Sequence, residues 1–539
     1  MFVITSLIQN QTKNMKRRSF IEFLGKGSLV SLAVNPLLML NACKPGDKLY
    51  EAKVLFESLN TLEVVDDVVL VEGFDYHVVV SAGDAISDKD TFGEHCDFNA
   101  LFPMGSNNDE AILWTNNEYY NRVTLGTSSS LRTKVEIDKE RYAVGGSITK
   151  IKKNAEGKWT FVKDNEINKR ITGETKIPFH WDEEIRGSKI AEGTLQNCSG
   201  GVTPWGTVLT CEENYDGQYG EITYENGERE FIPSYYQWEK HYNNPPEHYG
   251  WVVEVNIQTG EAQKLVSMGR CKHECATVFE LEDGRVVVYS GDDEANQFIY
   301  KYVSKHAKDL KEGTLYVADV INGKWLALDY NNSELLQSNF EDQTAVLVRA
   351  RDAAKLLGAS PMNRPEDIKI DPISGDVFVS LTNNKAIGDY HGSILKIVEG
   401  SADKTGVSFN SETFLMGGIK DGFSSPDNLV FDKKGNFWFA TDVSGSSLGM
   451  GEYAEFLSNG IFVVPRSGER QGEVIQVASA PVAAEFTGLC FHPDGKTLFV
   501  SVQHPGETSK DLDNLTSHWP LGRNAIPKSS VIAITGNFL

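Results

Sequence analysis

Short apolar runs separated by glycine-containing turns dominate the chain beyond residue 43. An apolar run, a turn and a second apolar run recur in this order, and the pattern predicts antiparallel hairpins. Four copies align well, with turn glycines at Gly284, Gly375, Gly435 and Gly495, and the last three glycines are spaced by 60 residues. No long stretch has a helical period, and residues 343–357 are the best helix candidate.

The repeated hairpins predict an all-β protein. A hairpin repeat longer than a minimal blade favours a β-propeller with loop and small helical insertions, and we expect six blades. The predicted single propeller domain covers residues 91–539, and residues 44–90 form an N-terminal segment that leads into it. Two stacked β-sandwiches are the alternative fold.

The first 43 residues have the features of an export signal. Arg17 and Arg18 form a twin arginine, and the apolar stretch at residues 29–40 is too short to span a bilayer. It ends in Leu-Asn-Ala-Cys, which resembles a lipobox whose Cys43 would be lipidated. We therefore expect a twin-arginine-type lipoprotein signal and a lipid-anchored location in the periplasm or at the outer membrane or cell surface. The alternative is a cytoplasmic protein with an apolar N-terminal helix.

The charge balance limits the possible partners. The chain has 52 Lys and Arg against 75 Asp and Glu, a net charge of −23. An acidic surface repels phosphate backbones, so no nucleic-acid binding is expected. Seven cysteines in 539 residues are too few for a disulfide scaffold. We expect small-molecule ligands, membrane contact through the lipid alone, and a monomer.

An acidic residue stands at the same place in each of the four repeats. Glu274, Glu366, Asp427 and Glu485 lie 8 to 10 residues before the turn glycines, at the start of the first strand. In a propeller these positions would form a ring, and the carboxylates would repel each other unless cations neutralised them. The pattern predicts a polynuclear metal site. Ordinary solvated surface acids are the alternative.

The neighbours of these acids refine the prediction. Arg364 and Lys272 lie two residues before Glu366 and Glu274. Positive side chains beside an acidic ring indicate that the ligand is an anion bound to the metals. Asp292 and Asp293 follow a second strand, and carboxylate oxygens suit Ca²⁺.

One candidate metal ligand is a cysteine sulfur, a soft donor. Cys211 ends an apolar strand beside Glu212 and Glu213, and a thiolate among oxygen ligands selects a transition metal such as iron. Alternatively, Cys211 is a small buried hydrophobic residue.

Several long motifs resemble those of the PhoX-type bacterial alkaline phosphatases, in the same order. They are NCSGGVTPWGTVLTCEENYDG at residues 197–217, KHE at 272–274, GDD at 291–293, MNRPEDI at 362–368, SPDNLVFD at 425–432 and LFVSVQHPGE at 498–507. The resemblance covers residues 92–507. It implies an exported propeller phosphatase with two Fe³⁺ and two or three Ca²⁺.

The resemblance also implies roles for individual residues. Cys211 would bind iron, Arg364 would clamp phosphate, and Lys272 would lie close by. Asn117 stands where the family has a histidine, which makes it a further catalytic candidate. The catalytic candidates are Arg364, Lys272, Glu212 and Asn117; the metal candidates, from the resemblance and the repeats together, are Cys211, Glu118, Glu212, Glu274, Asp292, Asp293, Glu366, Asp427 and Glu485.

Clustered cations would neutralise the oxygens of a phosphate ester and activate water for attack on phosphorus. The predicted function is hydrolysis of phosphate monoesters with release of inorganic phosphate. Two alternatives stay open: a calcium-dependent propeller lactonase or ester hydrolase, and a non-catalytic, lipid-anchored binding propeller. Iron together with calcium favours the phosphatase, whereas calcium alone favours the others.

Overall fold

Six antiparallel sheets form the blades of a β-propeller in the computed structural model, which describes residues 53–59, 63–105, 108–128, 131–225, 228–399 and 404–538. The predicted six-bladed, all-β architecture is confirmed. The predicted signal at residues 1–43, with its lipidation site Cys43, lies outside the described residues.

The strands follow the chain from blade I to blade VI, and the innermost strand of each blade comes first. Strands β1 (Val69–Leu70) and β2 (Phe74–Ser81) precede blade I. Blade I has β3 (Cys96–Met104), β4 (Glu110–Asn117), β5 (Gly145–Lys153), β6 (Trp159–Phe161) and β7 (Lys169–Ile171), and the small hairpin of β8 (Lys176–Pro178) and β9 (Ile190–Glu192) follows. Blade II has β10 (Asn197–Val202) and β11 (Thr207–Glu212), then an inserted hairpin of β12 (Glu221–Glu225) and β13 (Glu228–Ile232), then β14 (Val252–Asn256) and β15 (Ala262–Leu265).

The remaining blades continue in the same way. Blade III has β16 (Thr277–Glu280), β17 (Val286–Gly291), β19 (Ile299–Ser304), β20 (Gly313–Asp319) and β21 (Lys324–Ala327), with β18 (Ala295–Gln297) paired to β22 (Met362–Asn363). Blade IV has β23 (Pro365–Ile370), β24 (Val377–Leu381), β25 (Ser393–Glu399) and β26 (Phe409–Met416). Blade V has β27 (Pro426–Phe431), β28 (Phe437–Thr441), β29 (Gly460–Val464) and β30 (Ile475–Ser479), and blade VI has β31 (Glu485–Phe491), β32 (Thr497–Gln503) and β33 (Ser530–Gly536).

The N-terminal strands complete the last two blades. Strand β2 pairs with the C-terminal strand β33 from Phe74–Gly536 to Ser81–Ser530, and β1 pairs with β30 of blade V. Pairing the first strands with the last ones joins the two ends of the ring of blades. The segment predicted to lead into the propeller therefore contributes two of its strands.

Apolar runs in the second strands explain why the blades stack. Strands β17, β28 and β32 are buried along their whole length, because each lies between the neighbouring blades. The inner strands also approach closely. A Cβ atom at Gly201 of blade II would lie 1.9 Å from the carbonyl oxygen of Ala276, so only glycine is accommodated there.

Helices are short and lie in the connections. They are α1 (Arg122–Leu125), α2 (Lys134–Ala143), α3 (Asp216–Tyr219), α4 (Glu334–Gln337), α5 (Gln343–Val348) and α6 (Ala350–Leu357). The helix predicted at residues 343–357 is thus present as α5 and α6, which meet at the non-helical Arg349. Among the described helices, none has the length and apolar character needed to cross a membrane.

Candidate active site

The innermost strands of four blades begin with the same β-bulge. In blade I, Cys96 pairs with Asn117 and Asn99 pairs with Thr115. Strand β3 therefore has one residue more than β4 between these two pairs. Strands β10, β23 and β27 have the same shift in register. A bulge re-aims one side chain and is common beside active sites. The residues that immediately follow the first pair are Asp97, Cys198, Glu366 and Asp427.

Each of the six blades supplies one potential ligand side chain from the start of its innermost strand or from the residues just before it. Glu485 starts β31, and Glu274 lies three residues before β16, where its backbone N–H donates to Gly291 O at 3.0 Å. In blade order the set is Asp97, Cys198, Glu274, Glu366, Asp427 and Glu485, and all six are buried. The four acids predicted from the repeats are therefore brought together.

A second set follows the ends of the second strands: Glu118, Glu213, Asp293 and Asp442. Each donates its backbone N–H to the carbonyl two residues before the first-set side chain of its blade, with partners His95 O at 3.0 Å, Gln196 O at 2.9 Å, Lys272 O at 3.0 Å and Ser425 O at 2.9 Å. Of these partners, His95, Gln196 and Ser425 have φ of 39°, 52° and 52°. Such left-handed non-glycine residues are strained and concentrate at functional sites.

The two sets merge into one continuous cluster. Within each of five overlapping groups, the potential ligand atoms lie within 4.8 Å of one another. The groups are Asp97–Glu118–Cys198, Cys198–Glu213–Glu274, Glu213–Asp293–Glu366, Glu274–Glu366–Asp427 and Asp427–Asp442–Glu485. Nine carboxylates and one thiol therefore surround a shared space.

Burial makes the charged forms of these groups unfavourable. It raises the pKa of the Glu118 carboxyl to about 8. Burial, reinforced by the neighbouring carboxylates, also raises the pKa of the Asp97, Glu213, Glu274, Glu366, Asp427 and Glu485 carboxyls well above their ordinary values. The pKa of the Cys198 thiol is raised by the same causes. Without added positive charge, this cluster would hold protons.

Several of these buried oxygens lack hydrogen-bond partners within the described part of the chain. Both carboxylate oxygens of Glu274 are in this state, as are Asp97 Oδ1, Asp427 Oδ1 and Glu485 Oε2. Buried polar atoms are almost always satisfied, so groups of orphaned oxygens indicate a missing partner. Hard oxygens suit Ca²⁺ and a single thiolate suits iron, so this donor set fits the predicted metals.

Arg364 is the principal cation inside the cluster. Its Nε and Nη2 lie 2.8 and 3.0 Å from the two oxygens of Asp293, and Nη2 lies 2.6 Å from Glu366 Oε1. Burial alone would raise the pKa of Asp293, but the guanidinium holds it well below its ordinary value. The bidentate contact fixes the orientation of the Arg364 side chain.

Lys272 lies at the edge of the same space. Its Nζ is 3.2 Å from Asp216 Oδ2 and 3.7 Å from Glu294 Oε2. A cavity of about 620 Å³ opens above the cluster. Of the predicted residues it is lined by Glu118, Lys272, Asp293, Arg364, Glu366, Asp427 and Glu485. Asp97 and Cys198, which were not among the candidates, line it as well, as do Glu213 and Asp442.

The structure does not bring Cys211 and Glu212 to the cluster. Cys211 packs in the apolar core with Leu209 and Trp251, because its side chain lies on the face of β11 opposite to Glu212. Glu212 is fully buried, 2.7 Å from Lys264 Nζ, and accepts the backbone N–H of Trp251 at 3.1 Å. The thiol in the cluster is Cys198, and the glutamate from this strand end is Glu213.

Asp292 and Asn117 also lie outside the cluster. Asp292 accepts from Arg351 Nε at 2.8 Å, so its charge is neutralised by a residue of helix α6. Asn117 is fully buried, and its Oδ1 accepts from Ser147 Oγ at 2.7 Å. Both therefore make structural contacts next to the cavity-lining residues Asp293 and Glu118.

The sequence model of the alkaline phosphatase PhoX family matches residues 54–506, which is most of the chain. The chain belongs to the PhoX family. Among solved structures, Pseudomonas fluorescens PhoX in complex with vanadate, a transition-state analogue, is 30% identical with a TM-score of 0.80, over 89% of this chain and 98% of that chain.

A second solved structure is similar at lower identity. A protein of unknown function from Dyadobacter fermentans is 10% identical with a TM-score of 0.38, over 86% of this chain and 100% of that chain. A search of curated protein sequences finds no match. The predicted family and enzyme class are confirmed: the chain is a phosphatase of this family.

Proposed function

We propose that this phosphatase hydrolyses phosphate monoesters at a polynuclear site of iron and calcium and releases inorganic phosphate. One observation carries the proposal: all six blades deliver one ligand-type side chain to the same buried cluster. A single structural calcium ion would not need nine carboxylates and a thiol in one cluster.

Cys198 takes the role that the sequence assigned to Cys211. As the one thiol of the cluster, it marks the position for iron, in the groups that also contain Asp97, Glu118, Glu213 and Glu274. The remaining carboxylate groups suit calcium. We propose two Fe³⁺ and two or three Ca²⁺. When bound, these cations neutralise phosphate oxygens and activate the attacking water.

The chain's own cations bind and orient the ester. Arg364 lines the cavity and its guanidinium is fixed by Asp293, so its remaining donors are oriented for phosphate oxygens. Lys272 lines the same cavity and adds a positive charge. Both residues stabilise the charge that moves between phosphate oxygens during transfer.

We also propose that the enzyme acts outside the cytoplasm. Support comes from the twin arginine at Arg17 and Arg18, the apolar stretch after it, and Cys43 at the end of the lipobox-like sequence. A lipid on Cys43 would hold the enzyme at the periplasmic or outer surface.

Elemental analysis of the purified, exported protein, coupled to turnover of p-nitrophenyl phosphate, tests the proposal. We expect iron and calcium together, and a loss of turnover when a chelator removes them. Calcium without iron would favour one of the two alternative functions. Turnover of lactones would then indicate the calcium-dependent hydrolase, and turnover of no ester would indicate the binding propeller.

A further inference from the structure

The cavity above the acidic cluster has a second, apolar wall. Ile232, Pro233, Tyr235 and Tyr236 line the same cavity as the cluster residues Asp293, Glu366 and Asp427. They come from the insertion between β11 and β14 of blade II, at and just after the hairpin strand β13. None of these four side chains carries a charge, whereas the cluster carries nine carboxylates.

This wall exposes aromatic surface to the cavity. Tyr235 is 69% exposed and Ile232 is 47% exposed. The rings of Tyr235 and Tyr236 meet edge to face, with centroids 5.1 Å apart and planes at 82°. Single exposed apolar residues are common, but a contiguous apolar patch beside a catalytic cluster indicates ligand contact.

The backbone that carries the wall is held rigidly. Tyr236 N donates to Gly217 O at 2.8 Å, and Tyr236 O accepts from Arg132 Nη1 at 3.0 Å. Behind it, the Tyr236 ring packs on Tyr120 with centroids 5.5 Å apart. The exposed ring of Tyr235 therefore stands on a fixed support, which lowers the entropy cost of stacking a ligand against it.

We infer that this wall is a leaving-group subsite for phosphate monoesters whose alcohol carries a flat aromatic ring. The inference rests on the proposed function, because it requires the phosphate to lie on the acidic cluster in the same cavity. An aromatic leaving group would then contact Tyr235 and Ile232 by stacking and apolar contact. Aryl esters and nucleoside 5′-monophosphates share this chemistry.

The test compares two substrates, one with and one without a nucleobase. Adenosine 5′-monophosphate and ribose 5-phosphate release the same type of primary alcohol, and only the first carries a base. We expect the ratio of their kcat/KM values to fall about fivefold in Tyr235→Ala, the size of one aromatic contact. The ratio is internal to each preparation, so partial misfolding of a variant does not change it.

A matched pair on one strand provides the control. Ile232 lines the cavity, whereas the adjacent Phe231 is 42% exposed but falls outside the cavity lining among the described residues. Ile232→Ala should lower the ratio, and Phe231→Ala should leave both rate constants unchanged. Tyr235→Phe, which keeps the ring, should retain the wild-type ratio.

Phenyl phosphate and cyclohexyl phosphate extend the test to aryl esters. A drop in their ratio in Tyr235→Ala without a drop for the nucleotide pair assigns the wall to aryl esters, and a drop in both assigns it to nucleosides as well. Ratios that stay at the wild-type values in Tyr235→Ala and Ile232→Ala would overturn the subsite. If the wild-type enzyme hydrolysed none of the esters, the proposed function itself would fail.

Discussion

Replacing Cys198 by serine is expected to abolish phosphatase activity and remove iron from the protein. Cys198 is the one thiol of the cluster, 9% exposed, and its Sγ lies 3.5 Å from Asp97 Oδ2. A hydroxyl is a much weaker ligand for iron than a thiolate. We expect kcat for p-nitrophenyl phosphate to fall by about three orders of magnitude, as for loss of a metal-activated nucleophile. Elemental analysis of the same sample should show the loss of iron.

Cys211→Ser is the matched control. Cys211 is fully buried in apolar packing and lies outside every ligand group found among the described residues. Its replacement should lower stability by about 1–2 kcal/mol, because an added hydroxyl is poorly accommodated there, while iron content and kcat hold. An iron-depleted Cys211→Ser protein beside an iron-replete, active Cys198→Ser protein would reverse the assignment.

Removing the metals is expected to destabilise the protein, and more strongly as the pH rises. Burial raises the pKa of Glu118 to about 8 and the pKa of Glu274 well above its ordinary value, whereas unfolded carboxyls titrate near 4. The metal-free folded state therefore binds more protons than the unfolded state above pH 4, and its stability falls as pH rises through the raised pKa values. The metal-loaded protein should not show this loss.

Thermal unfolding of chelator-treated and untreated protein between pH 6 and pH 9 measures the effect. We expect Tm of the treated protein to be lower by about 10 °C or more at pH 9, and by less at pH 6.

Glu274→Gln provides an internal test, because both Glu274 oxygens lack hydrogen-bond partners among the described residues. It should raise Tm of the metal-free protein at pH 9 and lower Tm of the metal-loaded one. A metal-free Tm that is constant with pH would contradict this account.

Much of the fold and four of the ten cluster residues follow from spacing along the chain. The hairpin repeats predicted the blades, and the acids before the turn glycines predicted Glu274, Glu366, Asp427 and Glu485 as neighbours. The same spacing identifies two ligand-type residues that were missed. Asp97 lies 8 residues before Gly105 and Cys198 lies 8 before Gly206, as Asp427 does before Gly435. The first strands of these two hairpins carry the same bulge as the first strands of blades IV and V.

The remaining errors have long-range causes. Cys211, Glu212 and Glu213 are adjacent, and which of them faces the cluster depends on where β11 ends, since Glu213 follows its last residue. Asp292 and Asp293 differ in their ion-pair partners, which decide which of them joins the cluster. Arg351 on helix α6 pairs with Asp292, and Arg364, just before the first strand of blade IV, pairs with Asp293. Those partners lie 59 and 71 residues away in sequence, so local pattern does not reveal them.

The most direct test of the central claim is to locate the metals in crystals of the exported enzyme by anomalous diffraction above and below the iron absorption edge. We expect iron peaks at bonding distance from Cys198 Sγ, with further cation density between Glu274, Glu366 and Asp427. A crystal of active enzyme with no metal density among these carboxylates, or with iron bound at Cys211, would contradict it.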